Sequence, residues 1–239
     1  MLLAPMSERQ KGAWLGLLEV TPLLPERSWC IVGGQMVFLY CCERQVPVNR
    51  PSDDGDVVLD VRAQPEILLN FTSALTKIGF ESAGVSPDGH QHRWVRGGSQ
   101  IDVLIPRHLG QRADKRTGAS GGTTISTPGA QQALDRSEAV DIEFTDVQGR
   151  VYRPSMIGAL VAKAAAFSVQ DPDKLRHVID FAVLASMIEG SDRIAEQLRK
   201  RDRDYLVPMV EALDKNRTLW VAINDNVERG VELIRDLTR

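Results

Sequence analysis

Two aspartates spaced two residues apart are the first residues of this sequence whose types and spacing could do chemistry. Asp54 and Asp56 lie just before and within the apolar run DVVLDV. On an extended strand, residues two apart project from the same face. Two carboxylates about 4 Å apart repel by about 4 kcal/mol at an effective dielectric constant near 20. A divalent cation such as Mg²⁺, which prefers hard oxygen ligands, would offset that repulsion; the alternative is a solvated acidic turn that precedes a strand.

A third aspartate stands in the middle of an apolar strand pattern. Asp102 lies within QIDVLIP, and an acid in such a segment is costly to bury unless it is paired or binds a metal ion. Two strands that present Asp54, Asp56 and Asp102 together would form a three-carboxylate metal site able to activate a hydroxyl and neutralise a triphosphate. The alternative is an edge strand on which Asp102 faces water.

A glycine pair separates a buried strand pattern from a helical one. Gly33 and Gly34 follow WCIV and precede QMVFLYCCERQ. Glycine lets the backbone approach a ligand closely, and the free N–H groups at the start of a helix favour phosphate. A plain strand-to-helix turn would explain the same pair, so the pair predicts a phosphate site only in combination with the aspartates.

One lysine lies inside an apolar helical pattern. The neighbours of Lys163 within one turn on each side include Leu160, Val161, Ala164 and Phe167. This pattern indicates a buried stem and an ammonium group aimed at a specific partner, whereas a lysine that reaches solvent at the helix rim is the alternative.

The next helix carries a polar face. Asp173, His177 and Asp180 lie at positions i, i+4 and i+7, which share one side of a helix. A solvated face is the alternative for Asp173, and a structural role is equally compatible with the position of His177.

These residues need strands and helices to position them. An amphipathic stretch is predicted over 14–24, and strands are predicted over 29–32, 56–61, 92–95, 100–105, 139–144 and 150–153, with 92–105 forming a hairpin. Helical patterns cover 35–45, 65–78, 155–168, 172–189, 192–214 and 217–237, and a mobile loop is predicted over 107–130. We therefore expect an α+β chain with a mixed β-sheet domain over 1–154 and a helical domain over 155–239.

Composition excludes a strongly basic nucleic-acid-coating protein and a membrane-spanning chain. Lys and Arg total 29 against 32 Asp and Glu, so a polyanion would have to meet a local basic patch rather than a globally positive surface. The hydrophobic fraction of 43% is that of an ordinary globular chain, and no apolar run is long enough to span a membrane. Three cysteines and an N-terminus without a signal layout favour a cytoplasmic protein without structural disulfides.

Basic residues cluster in two places. The first cluster could follow an RNA backbone or could belong to a soluble loop, and it comprises Arg93, Arg96, Arg107, His108, Arg112, Lys115 and Arg116. The second cluster alternates with aspartates, which predicts a salt-bridged helix surface, and it comprises Arg199, Lys200, Arg201 and Arg203.

The order of these motifs resembles the nucleotidyltransferase superfold. A glycine pair, a helix, the motif R-x-S-x-D-x-D from Arg50 to Asp56 and a later strand with a central aspartate follow one another. The lysine in MIGALVAKAAAF and the following helix DPDKLRHVIDFAVL are similar to the AbiEii-type nucleotidyltransferase toxins of toxin–antitoxin systems. The resemblance covers about residues 29–188. The chain departs from it at Gly55, where the family has an apolar residue, and around Lys174, where the family's K-D-x-x-D run is only approximate.

The resemblance implies a role for each matching residue. Mg²⁺ would be held by Asp54, Asp56 and Asp102. The phosphates of a nucleoside triphosphate would contact the residues of the glycine pair and of the motif, Gly33, Gly34 and Ser52, together with Lys163. The far wall of the site would contain Lys174 and Asp180.

The resemblance also implies a function. The chain would transfer a nucleoside monophosphate from a nucleoside triphosphate (NTP) to an acceptor hydroxyl, with a tRNA 3′ end as the acceptor and an antitoxin protein as the partner. Two alternatives stay open. The acceptor could be a small molecule such as an antibiotic, or the chain could bind a nucleotide or a partner protein without catalysis, as Gly55 and the altered Lys174 region would allow.

Overall fold

A computed structural model describes residues 1–48, 50, 52–107, 110, 115–144, 146–169, 173–220, 223–224 and 226–239. Its strands are β1 Trp29–Ile31, β2 Asp54–Leu59, β3 Glu81–Ser82, β4 Arg93–Arg96, β5 Ser99–Pro106, β6 Ile125–Thr127, β7 Ser137–Phe144 and β8 Val147–Pro154. Its helices are α1 Glu8–Val20, α2 Gly33–Glu43, α3 Ile67–Lys77, α4 Ala130–Leu134, α5 Met156–Phe167, α6 Leu175–Ser186, α7 Ile194–Gln197, α8 Arg203–Lys215, α9 Arg217–Trp220 and α10 Asn226–Thr238. The predicted α+β class is confirmed.

The main sheet is mixed and has β5 at its centre. Its order is β1-β2-β5-β4-β3. Strand β6 pairs with the C-terminal end of β5, on the same side as β4. Strand β2 runs parallel to β5, whereas β1 and β4 are antiparallel to their neighbours. A separate antiparallel hairpin consists of β7 and β8. Because β5 is paired on both sides, its residues are held in a fixed register against both neighbours.

Helix α1 covers one face of this sheet, and it begins earlier than the stretch predicted over 14–24. The Ser7 side chain caps it by accepting a hydrogen bond from the Gln10 N–H. Trp14 and Leu17 are fully buried between the helix and the sheet. The predicted start was too late because the first turn, ERQK, is polar and only the cap identifies it as helical.

The C-terminal helices pack against the sheet half through one apolar core. A single cluster of buried side chains extends from Leu3 to Ile234. Helix α5 packs against β8, α4 and α6, and α6 also contacts α2. The core therefore contains residues from both sides of the predicted boundary at 154. This packing positions the site described below, which lies between the sheet and the C-terminal helices.

Several predicted boundaries were wrong. The strand predicted over 56–61 begins and ends two residues earlier, because Asp54 and Gly55 already pair with Gln100 and Ile101. The loop predicted over 107–130 contains β6 and ends where α4 begins, and its residues 108, 109 and 111–114 lie outside the described residues.

The helix predicted over 192–214 is also broken. Arg193 has a φ angle of 49°, Leu198 and Arg199 are extended, and residues 200–202 form a 3₁₀ turn before α8 starts. Asp202 turns inward toward Arg136, which interrupts the helix. The helix predicted over 217–237 is divided into α9 and α10, with residues 221, 222 and 225 outside the described part.

Candidate active site

The parallel pairing of β2 and β5 brings three carboxylates together. Asp56 is paired with Asp102, and Asp54 lies two residues before Asp56 on the same face. One oxygen from each carboxylate lies within 4.8 Å of the others, and we call this group the carboxylate triad. Asp54 and Asp56 are half-buried, whereas Asp102 is buried. Hard oxygen ligands at this separation suit Mg²⁺, so the residues present fit the predicted metal.

The electrostatics of the triad are unfavourable without a cation. Burial, together with the negative charges of Asp54 and Asp102, raises the pKa of Asp56 to about 7, against the opposing influence of Lys163 and Arg176. A carboxyl group with such a pKa is only partly ionised at neutral pH. A divalent cation would favour its ionised form.

Asp102 has a partner that the sequence did not suggest. Arg93 lies directly opposite on β4 and donates two hydrogen bonds, from Nε to Oδ1 at 3.1 Å and from Nη2 to Oδ2 at 3.0 Å. The alternative that Asp102 faces water on an edge strand is wrong, since β5 is central and Asp102 is 7% exposed. The bidentate pair orients the third carboxylate and removes Arg93 from the predicted basic patch.

The glycine pair makes room for side chains of the site. Gly33 has a φ angle of 64°, and a Cβ atom there would overlap the Asp56 carboxylate. A Cβ atom at Gly34 would overlap the Ser52 side chain. Both positions therefore require glycine for a reason that the sequence did not reveal: the close approach of Asp56 and Ser52 to the start of α2.

Ser52 belongs to a polar network beneath the triad. Its hydroxyl donates to Asp54 Oδ1 at 2.8 Å, and its carbonyl accepts a hydrogen bond from Gln35. Gln35 in turn accepts one from Gln10 at 3.0 Å. This network fixes Asp54 from helices α1 and α2, and neither glutamine was predicted.

Lys163 is buried, and its ammonium group has a defined partner. Its Nζ lies 2.7 Å from Asp180 Oδ2, and Arg50 Nη2 lies 3.1 Å from the same oxygen. Although burial opposes it, the charges of Lys163 and Arg50 lower the pKa of Asp180. The alternative of a lysine that reaches solvent is wrong, because Lys163 is 3% exposed.

A cavity of about 360 Å³ lies between the sheet and the C-terminal helices. It is lined by four of the residues singled out from the sequence, Gly33, Asp56, Lys163 and His177. It is also lined by Thr127 and Arg176, which sequence reasoning missed. Thr127 lay in a segment predicted as a loop, so no signal could have found it. Arg176 lies beside His177 on the predicted polar helix, and this position is the sequence signal that points to it as a lining residue.

Other predicted residues lie outside that cavity. Gly34 and Asp180 line a small crevice together with Arg50. Lys174 stands over the Phe167 ring, with Nζ 5.8 Å from the ring centroid, and does not line the cavity. The structure therefore brings Asp180 into contact with Lys163 of the cavity wall, whereas Lys174 contacts Phe167.

Three described members of the first basic cluster, Arg93, Arg96 and Arg116, contact other groups of the protein. Arg96 pairs with Glu19 and stacks on Phe80, and Arg116 donates to the Val61 carbonyl. Arg107 and Lys115 are exposed, whereas His108 and Arg112 lie outside the described residues. In the second cluster, Arg199 pairs with Asp135.

Comparisons with known proteins support the fold. No family model matches the sequence, and no curated protein matches it. The structure is similar to the crystal structure of an antigenic nucleotidyltransferase-like protein from Paracoccidioides brasiliensis, with a TM-score of 0.54 and 17% sequence identity. The match covers 92% of this chain and 94% of that chain.

In the part of the chain that the structure describes, no helix combines the length and apolar character that crossing a membrane requires. Together with the mixed sheet, its flanking helices and the helical C-terminal half, the structural match shows that the chain has a nucleotidyltransferase-like fold.

Proposed function

We propose that the protein is a Mg²⁺-dependent nucleotidyltransferase that transfers a nucleoside monophosphate from an NTP to an acceptor hydroxyl. The observation that carries this proposal is the carboxylate triad at the edge of a cavity that also contains Lys163 and Arg176. Anionic ligands for a metal and cationic side chains for phosphates thus occur in one site, as phosphoryl transfer requires.

Asp54, Asp56 and Asp102 are the residues that would hold Mg²⁺. The metal ion, when bound, would neutralise phosphate oxygens and lower the barrier to attack by a hydroxyl. The chain's own contribution is to preorganise the ligands. Ser52 fixes Asp54, Gly33 admits Asp56, and Arg93 orients Asp102.

The proposed reaction breaks one phosphoanhydride bond and forms one phosphate ester bond. The acceptor oxygen attacks the α-phosphorus, the bond from the α-phosphorus to the bridging oxygen of the β-phosphate breaks, and pyrophosphate leaves. The hydroxyl proton passes to a carboxylate, for which Asp102 is the candidate. Lys163 and Arg176 would attract the triphosphate from the cavity wall, and Gly33, Gly34 and Ser52 would border the phosphates at the start of α2.

The acceptor and the partner follow from the resemblance to nucleotidyltransferase toxins. On that basis the acceptor is a tRNA 3′ end, and the protein acts as a toxin whose partner is an antitoxin protein. The alternative acceptor is the hydroxyl of a small molecule. Asp180 is proposed to act through Lys163, with which it forms an ion pair. The role of Lys174 at the far wall rests on the resemblance alone, since its side chain contacts Phe167 and does not line the cavity.

Label transfer tests the activity. The protein is incubated with Mg²⁺, total RNA and each of the four NTPs labelled at the α-phosphorus, and the RNA is then separated and counted. We expect incorporation from at least one NTP, release of pyrophosphate, and loss of both with Asp56→Ala. A candidate set of small hydroxyl compounds replaces RNA in a parallel assay. Absence of transfer to either class of acceptor contradicts the proposed activity.

A non-catalytic, nucleotide-binding role is the second candidate, and the Arg93–Asp102 pair favours it. Both oxygens of Asp102 already accept hydrogen bonds from Arg93, so a metal ion would have to share this carboxylate with a guanidinium group. Thermal-shift measurements with NTP and Mg²⁺ separate the two roles. A protein stabilised by nucleotide that shows no transfer, even with Arg93→Ala, is a binding protein rather than an enzyme.

A further inference from the structure

A second concave surface adjoins the cavity beside the triad, which we call the triad cavity. It has a volume of about 620 Å³, and it shares Thr127 and Pro128 with that cavity. Its cationic wall contains Arg62, Arg107, Arg199, Lys200 and Arg201. We call this surface the basic groove. Because the groove and the cavity share a wall, a linear polymer that lies in the groove would have its end close to the triad.

The charge in the basic groove is not balanced within the protein. Arg199 is paired with Asp135 at 2.6 Å. Within the described residues, the side chains of Arg62, Arg107, Lys200 and Arg201 form no ion pair, and all four are exposed. The carboxylate that opposes them is Asp204, also exposed. The groove therefore has a net positive charge although the whole chain has a net charge of −3.

The cations of the groove are held in place by a buried anchor. Asp202 is fully buried, and its Oδ2 accepts hydrogen bonds from Arg136 Nη2 at 2.5 Å and from the Arg199 N–H at 2.7 Å. This anchor fixes the 3₁₀ turn Lys200–Asp202, which carries two of the unpaired cations. A basic turn built on a buried ion pair is a preorganised surface rather than a flexible basic tail.

An aromatic side chain completes the groove. Tyr205, at the start of α8, lines it and is half-buried. A positively charged groove with an aromatic side chain is the arrangement that binds single-stranded nucleic acid, because the cations follow the phosphates and a base stacks on the ring. An acidic protein segment would satisfy the cations but would gain no stacking from Tyr205.

We propose that the basic groove binds the phosphate backbone of a single-stranded nucleic acid acceptor, with a base stacked on Tyr205 and the terminal hydroxyl directed into the triad cavity. The role of the groove as an acceptor site rests on the proposed nucleotidyl transfer. Binding of the backbone does not, since it needs neither metal nor nucleotide.

Fluorescence anisotropy with a short labelled single-stranded RNA tests the groove. The Lys200→Gln/Arg201→Gln variant is compared with a Lys77→Gln/Lys215→Gln control, which changes the net charge equally at exposed lysines outside the groove. We expect the groove variant to bind RNA at least about tenfold more weakly in low salt. The slope of log affinity against log salt should decrease in magnitude by about 0.7 for each phosphate that the variant no longer neutralises, and the control should match the unmodified protein.

Two further binding measurements identify the ligand. Tyr205→Ala should weaken RNA binding by about tenfold, whereas Tyr205→Phe, which keeps the ring, should bind normally. Polyglutamate of matched charge should compete poorly with RNA. Equal competition by polyglutamate, or equal RNA affinity and salt slope in the groove and control variants, overturns the proposal.

Nucleotide binding separates the groove from the proposed activity. The groove variant should bind Mg²⁺ and NTP as the unmodified protein does, because neither Lys200 nor Arg201 lines the triad cavity. RNA binding without label transfer contradicts the activity and leaves the groove intact. Label transfer to RNA that is insensitive to the groove variant contradicts the groove alone.

Discussion

Two places in this protein hold negative charge in opposite ways. At Asp202, one fully buried carboxylate is matched by Arg136 and by a backbone N–H group. At the carboxylate triad, three carboxylates lie within 4.8 Å of one another, and the guanidinium group of Arg93 donates its hydrogen bonds to Asp102. The fold therefore neutralises the first charge by itself, and we propose that a bound cation neutralises the second.

The difference distinguishes an architectural charge at Asp202 from the charge at the triad, which we propose to be functional. The Asp202 pair holds the 3₁₀ turn against the end of α4, and its removal should affect folding. Burial and the charges of Asp54 and Asp102 raise the pKa of Asp56, and the ionised Asp56 carboxylate therefore destabilises the metal-free fold. Mutations at the two places should therefore change stability in opposite directions.

The largest expected effect is on activity at the triad. Asp56→Asn should reduce nucleotidyl transfer by at least about 100-fold, because a ligand charge is removed. The same variant should be more stable than the unmodified protein in EDTA above pH 7, where the ionised Asp56 carboxylate destabilises the fold. Label transfer and thermal unfolding measure the two quantities. A variant that loses stability together with activity would show that Asp56 is architectural.

The largest expected loss of stability is at the buried pair. Asp202→Ala should lower the free energy of unfolding by about 3 to 5 kcal/mol, since it leaves the Arg136 charge buried without a carboxylate. The double variant Arg136→Met/Asp202→Leu should recover much of that loss. Urea unfolding measures both. An Asp202→Ala protein with unchanged stability would contradict the architectural role.

The pH dependence of metal binding should follow Asp56. The pKa of Asp56 is raised to about 7 in the metal-free protein, so Mg²⁺ must displace a proton below that pH. The affinity should be constant well above pH 7 and fall by up to about tenfold per pH unit below it. Titration calorimetry in buffers of different ionisation enthalpy detects the released proton. An affinity that does not change between pH 6 and pH 8, with no proton release, would contradict this assignment.

The smallest effect is expected at Gly55. A Cβ atom there would make ordinary contacts with Leu17, Ile101 and Ala13 at 3.5 to 3.8 Å. Gly55→Ala should therefore stabilise β2 by about 0.5 to 1 kcal/mol and leave transfer unchanged. Gly33→Ala is the matched control and should lower both, because its Cβ would meet Asp56. Loss of transfer in Gly55→Ala would contradict this expectation and would show that the active site requires glycine at position 55.

The sequence predicted those parts of the site that depend on local geometry. Strand alternation places Asp54 and Asp56 on one face whatever the rest of the chain does. An acid within an apolar strand identified Asp102. The Arg93 pair could not be predicted, because it depends on the register in which β4 meets β5. Likewise, the contact of Lys163 with Asp180 and Arg50 depends on the packing of three distant segments.

The same distinction holds for the fold. The α+β class and most strands follow from hydrophobic periodicity, which is local. The break in the helix predicted over 192–214 arises because Asp202 is drawn toward Arg136, whose position is set by α4. Helix α4 itself was missed since its five residues are too few for a periodic pattern.

Binding of Mn²⁺ to the triad tests the central claim most directly. Electron paramagnetic resonance counts free Mn²⁺ during a titration of the protein at pH 8 with a non-hydrolysable NTP analogue. Asp88→Asn, which changes an exposed carboxylate outside the triad, is the control. We expect saturable binding in the unmodified protein and in the control, and its loss in Asp56→Asn. Equal Mn²⁺ binding by Asp56→Asn and the unmodified protein, or no saturable binding by either, would contradict the assignment of the carboxylate triad as a metal site.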